Sequence, residues 1–261
     1  MAVVAWLFAS AGYSEIKALP QFLNKNFPKL NFQRKFPASR KPAPKLRSDR
    51  VPNPIFQGAS GKYLAKCITQ VLKDSFSKGN EICDLILVID DLDCCKREQR
   101  NTIFLEAIVK AFKDLQDEYK LTPEQIEKIS AIPKYIGFAV PEIESWIIAD
   151  WSNTIASNSS KFRTREVLMK RYLQNKNVPC DAPESFGKFD PEKQACKEKL
   201  SELLIESSHC KPTEDSVYGF EIYSKALDTP EMLLNLDIQT VSSKCLNFGN
   251  LCNYLNSQIL T

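Results

Sequence analysis

The chain has 261 residues, 43% of them hydrophobic, with a formal net charge of +3, which supplies enough apolar material for a real core and excludes a disordered chain. No apolar run approaches the roughly 18 residues that cross a bilayer, and Met1 to Ala9 is short and lacks a basic flank, so neither a membrane partner nor a signal peptide is expected and the cytoplasm is the default location. Nine cysteines without a C-x-x-C pair fit reduced thiols better than a disulfide framework or a structural zinc site, and the single histidine, His209, is a thin basis for histidine-assisted catalysis.

Val3 to Ala9 reads as a buried strand that ends in the turn Ser10, Ala11, Gly12. A helix follows, with Ser14 as N-cap, Glu15 in its positive first turn, and Ile16, Leu19, Phe22 and Leu23 on one face. Pro20 interrupts that pattern unless the helix starts later. Leu30 to Phe36 is a second strand candidate. Between Lys29 and Arg50 stand Lys29, Arg34, Lys35, Arg40, Lys41, Lys45, Arg47 and Arg50 against one acid, Asp49, and Pro37, Pro42, Pro44, Pro52 and Pro54 mark an extended loop. Such a block suits nucleic-acid phosphates, with Arg34, Lys35, Arg40, Lys41, Lys45, Arg47 and Arg50 as the contacting residues; a solvated loop without a partner explains it equally well.

Gly58 to Lys62 opens a helix that runs to about Ser77. The G-x-x-G-K sequence falls short of a phosphate-binding loop, because Phe56 stands where its first glycine is needed and Tyr63 replaces the metal-binding hydroxyl. Leu85 to Ile89 is then a strand buried on both faces, and the apolar run stops at Asp90. Asp90, Asp91 and Asp93 crowd the strand end, where mutual repulsion calls for compensation by a hard cation or, alternatively, for splaying into solvent. Cys94 and Cys95 follow directly.

Arg97 to Lys120 is an amphipathic helix, and Thr122, Pro123 and Gln125 form a capping box for a further one. Tyr135 to Val140 reads as a strand, with Pro141 in the first turn of the next helix and Glu142 and Glu144 where strand gives way to helix. Alternating strands and helices predict an α/β fold with a mostly parallel central sheet flanked by helices, and such sheets place their sites at the carboxyl ends of strands. Two acidic clusters at equivalent ends point to a shared metal site. Beyond Trp151, helices are expected over Arg163 to Leu173, with Arg163, Arg165, Lys170 and Arg171 exposed, over Pro191 to Ile205, and over Leu246 to Ile259. Tyr218 and Tyr223 lack the neighbours a nucleophile needs. The expected division is residues 1–155 as the metal-binding domain and 156–261 as a helical extension that packs on the sheet or contacts substrate.

These residues resemble the TOPRIM fold, the metal-binding domain of topoisomerases, primases and the OLD and RloB types of nuclease, and most closely a small stand-alone TOPRIM-like protein of prokaryotic defence loci. Asp91-Leu92-Asp93 is similar to the family's Asp-x-Asp, and Glu144 in P-E-I-E-S-W to its additional acid. The resemblance implies a nuclease dependent on Mg2+ or Mn2+, with Glu15, Asp90, Asp91, Asp93 and Glu144 as metal ligands and Asp91, Asp93 and position 11 as catalytic. Here Ala11 stands where the family glutamate precedes Gly12, and a methyl group neither binds metal nor transfers a proton. An inactivating substitution and natural degeneration both account for it; the intact acids favour the first. The alternative is a non-catalytic nucleic-acid or nucleotide binding module, or a subunit of a defence complex. A homo-oligomer is also open.

Overall fold

In the computed structural model, residues 2–10, 12–37, 60–77, 83–119, 121–162, 165–210 and 221–260 are described. Ala11, Arg40, Lys41, Lys45, Arg47, Arg50 and the side chain of Glu15 fall outside that description, as do Arg163 and Tyr218.

The apolar run Val3–Ala9 forms strand β1, which pairs in parallel with β2 (Leu30–Phe36) on one side and β3 (Leu85–Asp91) on the other. Strand β4 (Lys134–Ala139) extends the sheet beyond β3, also in parallel, giving the order β2-β1-β3-β4. Two helices, α1 (Tyr13–Lys17) and α2 (Leu19–Asn26), connect β1 to β2. They divide at Ala18, which leaves Pro20 in the first turn of α2, where its missing N–H breaks no helical bond. Helix α3 (Gly61–Ser77) precedes β3, and α4 (Arg97–Tyr119) and α5 (Pro123–Ala131) follow it. The expected Thr122–Gln125 capping box is present at the start of α5.

Period-two alternation sorts the strand residues onto two faces. Trp6, Phe8, Ile86 and Val88 pack with α3 and α4 in one buried cluster. Leu7, Leu87 and Ile89 pack in the other, against α2 and the later elements α6 (Glu144–Ala149), α7 (Ser159–Phe162), α8 (Glu166–Asn175), α9 (Leu200–Ser207), α10 (Asp228–Asn235), α11 (Ile238–Lys244) and α12 (Leu246–Leu260). Segments 1–155 and 156–261 therefore share this second core. Helix α12 begins where Glu184 accepts hydrogen bonds from the amides of Asn247 (2.9 Å) and Phe248 (3.3 Å), a side-chain cap supplied from the short 3-10 helix Pro183–Ser185.

Several local expectations change. Strand β3 runs through Asp90 and Asp91 instead of stopping at Ile89, because both still pair with β4. The Val140–Pro141 peptide is cis, and the helix after β4 begins only at Glu144. The interval expected as a helix from Pro191 contains the end of a small antiparallel hairpin, β5 (Phe189–Asp190) with β6 (Ala195–Cys196), and becomes helical only in α9. Arg165 is buried, not exposed, because its guanidinium donates to the carbonyl oxygens of Ser208, Lys161 and Glu221. Among the described residues, no helix is long and apolar enough to cross a membrane.

Candidate functional site

The carboxyl ends of β3 and β4 are held together beyond the strands themselves. Leu92 N–H donates to the Ala139 carbonyl at 2.9 Å and Asp93 N–H to that of Pro141 at 2.8 Å. The chain then turns through the cis proline, and the Ile143 amide donates to Asp91 Oδ1 at 3.0 Å. This zippering brings Asp91 beneath the turn that carries Glu142 and Glu144. The edge lies beside the point where the chain's path reverses between β1 and β3, the usual location of ligand sites in open parallel sheets.

Glu142 and Glu144 are buried acids with their oxygen atoms committed. Glu142 Oε1 accepts from the Ser201 amide at 2.7 Å and its Oε2 from the Ser201 hydroxyl at 3.0 Å. Glu144 Oε1 accepts from the Thr229 hydroxyl at 3.2 Å. Between the two carboxylates sits the ammonium of Lys225, whose Nζ is 3.2 Å from Glu142 Oε2 and 3.0 Å from Glu144 Oε2. Burial opposes charge on Lys225, but Glu144, Asp91 and Glu142 outweigh it and hold the ammonium above the ordinary lysine range.

The remaining acids divide by geometry. Adjacent strand residues point to opposite faces, so Asp90 cannot join Asp91 in one ligand set. The buried Asp90 carboxylate instead accepts the Gly61 amide at 3.0 Å, at the start of α3, and lies 3.8 Å from Arg100 Nη1. The G-x-x-G-K segment thus meets a carboxylate where a phosphate-binding loop would meet a phosphate; its Gly58 lies outside the described residues. Asp93, at φ 51°, lies 3.9 Å from Arg100 Nη2. Burial raises its pKa, with Lys199 and Arg100 pulling the other way.

The loop after Asp93 carries the clearest correction to the cysteine reading. Cys94, also at positive φ, is disulfide-bonded to Cys196 of β6, so the hairpin is tied to the acidic edge. Reduced thiols fitted the odd cysteine count and the lack of a C-x-x-C pair, but this bridge spans 102 positions and no local spacing marks it.

The described part of the basic block serves the fold. Arg34 donates to the Ile16 carbonyl, and the Lys35 ammonium lies 4.2 Å from the centre of the Trp6 ring. Tyr223 is buried, and burial together with Glu144 pushes its phenol well up, which removes it further from nucleophilic use.

The structure therefore brings Asp91, Asp93 and Glu144 to one edge and turns Asp90 to the opposite face. Lys225, Ser201, Thr229 and Arg100 are site residues that sequence reasoning did not assign; Glu142 was placed in the second acidic cluster but not named as a ligand. Lys225 carried no local signal, since its acidic partner Glu144 is 81 positions away.

Carboxylates suit Mg2+ or Mn2+ in kind. Among the described residues, which leave out Ala11 and the side chain of Glu15, no three histidine, cysteine, aspartate or glutamate side chains are gathered to hold one. The single Lys225 ammonium already offsets part of the charge of Glu142 and Glu144. Against protein-family models, curated proteins and solved structures, the chain matches none.

Proposed function

We propose that the chain is a nucleic-acid-binding module that retains a nuclease-like acidic edge without hydrolytic chemistry, acting as a subunit of a defence complex or as a second copy's partner. The observation that carries this reading is the Lys225 ammonium between Glu142 and Glu144, which supplies from the chain itself the positive charge those acids require. Ala11, at the position of the glutamate in the TOPRIM-like proteins that the sequence resembles, supports the same conclusion. Affinity is assigned to the basic block between Lys29 and Arg50, with Arg34 and Lys35 anchoring its described end. The test is binding of labelled single- and double-stranded DNA and RNA in EDTA and in Mg2+ across a salt series. Equal affinity in both, falling with salt by a logarithmic slope of about −0.7 to −0.9 per phosphate contacted, is the expected result. Binding that requires Mg2+, or no binding to any of the four, sinks the reading.

A metal-dependent nuclease is the second reading. It is favoured by one observation: Asp91, Asp93, Glu142 and Glu144 outnumber Arg100, Lys199 and Lys225 at this edge. Cleavage assays with Mg2+ or Mn2+ on the same four substrates decide it. Turnover gained by Ala11→Glu and abolished by adding Asp91→Ala would give this reading precedence.

A further inference from the structure

We infer that Cys94, Cys95 and Cys196 form a thiol–disulfide exchange site, in which the free thiol of Cys95 takes over the bond to Cys196 and releases Cys94. The inference stands apart from the nucleic-acid reading and does not rest on it.

Three observations carry it. First, the Cys95 thiol is free and is held against the hairpin that carries Cys196. Its sulfur lies 3.8 Å from the carbonyl oxygen of Gln194, two residues before Cys196, and accepts from Arg100 Nη2 at 3.3 Å. These two contacts fix the sulfur over the turn of the bridged hairpin. Second, the strain of the present pairing lies on the Cys94 side. Asp93 and Cys94 stand in succession at φ 51° and 58°, and cysteine, unlike aspartate, has no side-chain oxygen to ease the left-handed region. Strain of this kind makes a disulfide more labile. Third, the fold permits the change. The Cα atoms of Cys94 and Cys196 are 5.0 Å apart, and the next Cα lies about 3.8 Å further along the chain, so the hairpin has to slide by about one residue. Strands β5 and β6 form a two-stranded sheet of their own, and such a slide breaks no hydrogen bond of the central sheet. Cys83, Cys180, Cys245 and Cys252, by contrast, are buried, and burial pushes their thiols up, to about 12 at Cys83 and about 11 at Cys252.

In the exchange the Cys95 thiolate attacks Cys196 Sγ. The Cys95–Cys196 bond forms as the Cys94–Cys196 bond breaks, and Cys94 leaves as a thiolate that takes up the proton Cys95 gave up. One disulfide and one thiol stand on each side, so no oxidant or reductant is consumed. Cys196 is only 4% exposed, so a thiol already held within the fold reaches its sulfur more readily than one from solvent. The chain beyond Cys196 continues into Lys199, whose charge bears on Asp93, and Ser201, which donates to Glu142. Where the bond sits therefore sets how this segment meets the acidic edge.

The experiment is disulfide mapping of the full chain, as wild type, Cys94→Ser and Cys95→Ser. Each is equilibrated in buffers of reduced and oxidised glutathione, quenched in acid, alkylated and read by tandem mass spectrometry. The wild type is expected to keep Cys94–Cys196 as its main form and to show Cys95–Cys196, with alkylated Cys94, at about a hundredth to a tenth of it. Cys94→Ser should close Cys95–Cys196 at a glutathione ratio within about a hundredfold of that which closes Cys94–Cys196 in Cys95→Ser. A wild type without the Cys95–Cys196 peptide overturns the inference, as does a Cys94→Ser chain that stays reduced in buffers that oxidise Cys95→Ser. Bonds from Cys196 to Cys67 or Cys210 in similar amounts would mark general scrambling and overturn it too. Should Cys94→Ser not fold, the wild-type map decides alone. Nucleic-acid binding enters none of these readouts, so the two proposals fail separately.

Discussion

The Lys225 ammonium reaches Glu144 across 81 positions of sequence and stands 3.0 Å from its Oε2. Glu144 is fully buried and also accepts from Thr229, so its neutral replacement leaves a half-exposed cation with one fewer partner and the Thr229 hydroxyl with Tyr223 as its remaining partner. Glu144→Ala is expected to lower stability by roughly 1–3 kcal/mol in urea unfolding, below the range for a wholly buried pair because water screens Lys225.

The same pair sets an alkaline limit. The folded-state pKa of Lys225 is raised above its unfolded value of 10.5, so the folded chain holds the proton more tightly. Its contribution is complete below that value and declines as pH rises beyond it. Urea midpoints measured as pH rises above 10.5 should fall more steeply for the wild type than for Lys225→Met.

Asp93 gives the same sign in an acid window, though here folding disfavours the charged form. Burial raises its carboxyl above the usual 3.8, so the folded state binds more protons than the unfolded one and stability falls as pH rises through that window. Its φ of 51° is one that asparagine adopts readily. Asp93→Asn should therefore be at least as stable as the wild type at pH 7, by thermal unfolding, and should flatten the acid side of its stability profile.

Gly61 sits at φ 51°, and a Cβ there would fall on the Arg100 guanidinium that bridges Asp90 and Asp93. Gly61→Ala is expected to cost about 1–3 kcal/mol, part of it recovered when Arg100→Ala is added. Urea denaturation of the single and double variants measures the recovery.

Reduction of Cys94–Cys196 opens a link across 102 positions. Chain-entropy reasoning puts the loss at up to about 4–5 kcal/mol. Unfolding with and without dithiothreitol tests this, and alkylation before and after reduction should show two additional modified thiols, at Cys94 and Cys196.

The sheet was legible because buried strands announce themselves: Val3–Ala9 and the strand around Leu85 are continuous apolar runs, and Thr122-Pro123-Gln125 states a helix start in its own chemistry. The acids at the strand ends were legible for the same reason. Their grouping was not, because a run of three aspartates conceals that Asp90 and Asp91 point to opposite faces once the strand continues through them. Helices α10 and α11 escaped because they are short, and Arg165 was misread because its acceptors are carbonyl oxygens, which every residue possesses. Lys225 looked like any surface lysine. Only the packing of a distant turn gives it a site.

Tyr135 of β4 stacks on Tyr254 at 4.3 Å between ring centres, and Trp146 meets Phe248 edge-on at 4.8 Å. Both partners belong to α12, so the sheet face that bears Leu7, Leu87 and Ile89 is completed by late-made residues, whereas the other face is closed by α3 and α4. On the ribosome the two sides mature at different times. A nascent chain passes the interval between Trp146 and Phe248 with that face covered only in part, by α2, and that interval is when a holdase chaperone has something to grip.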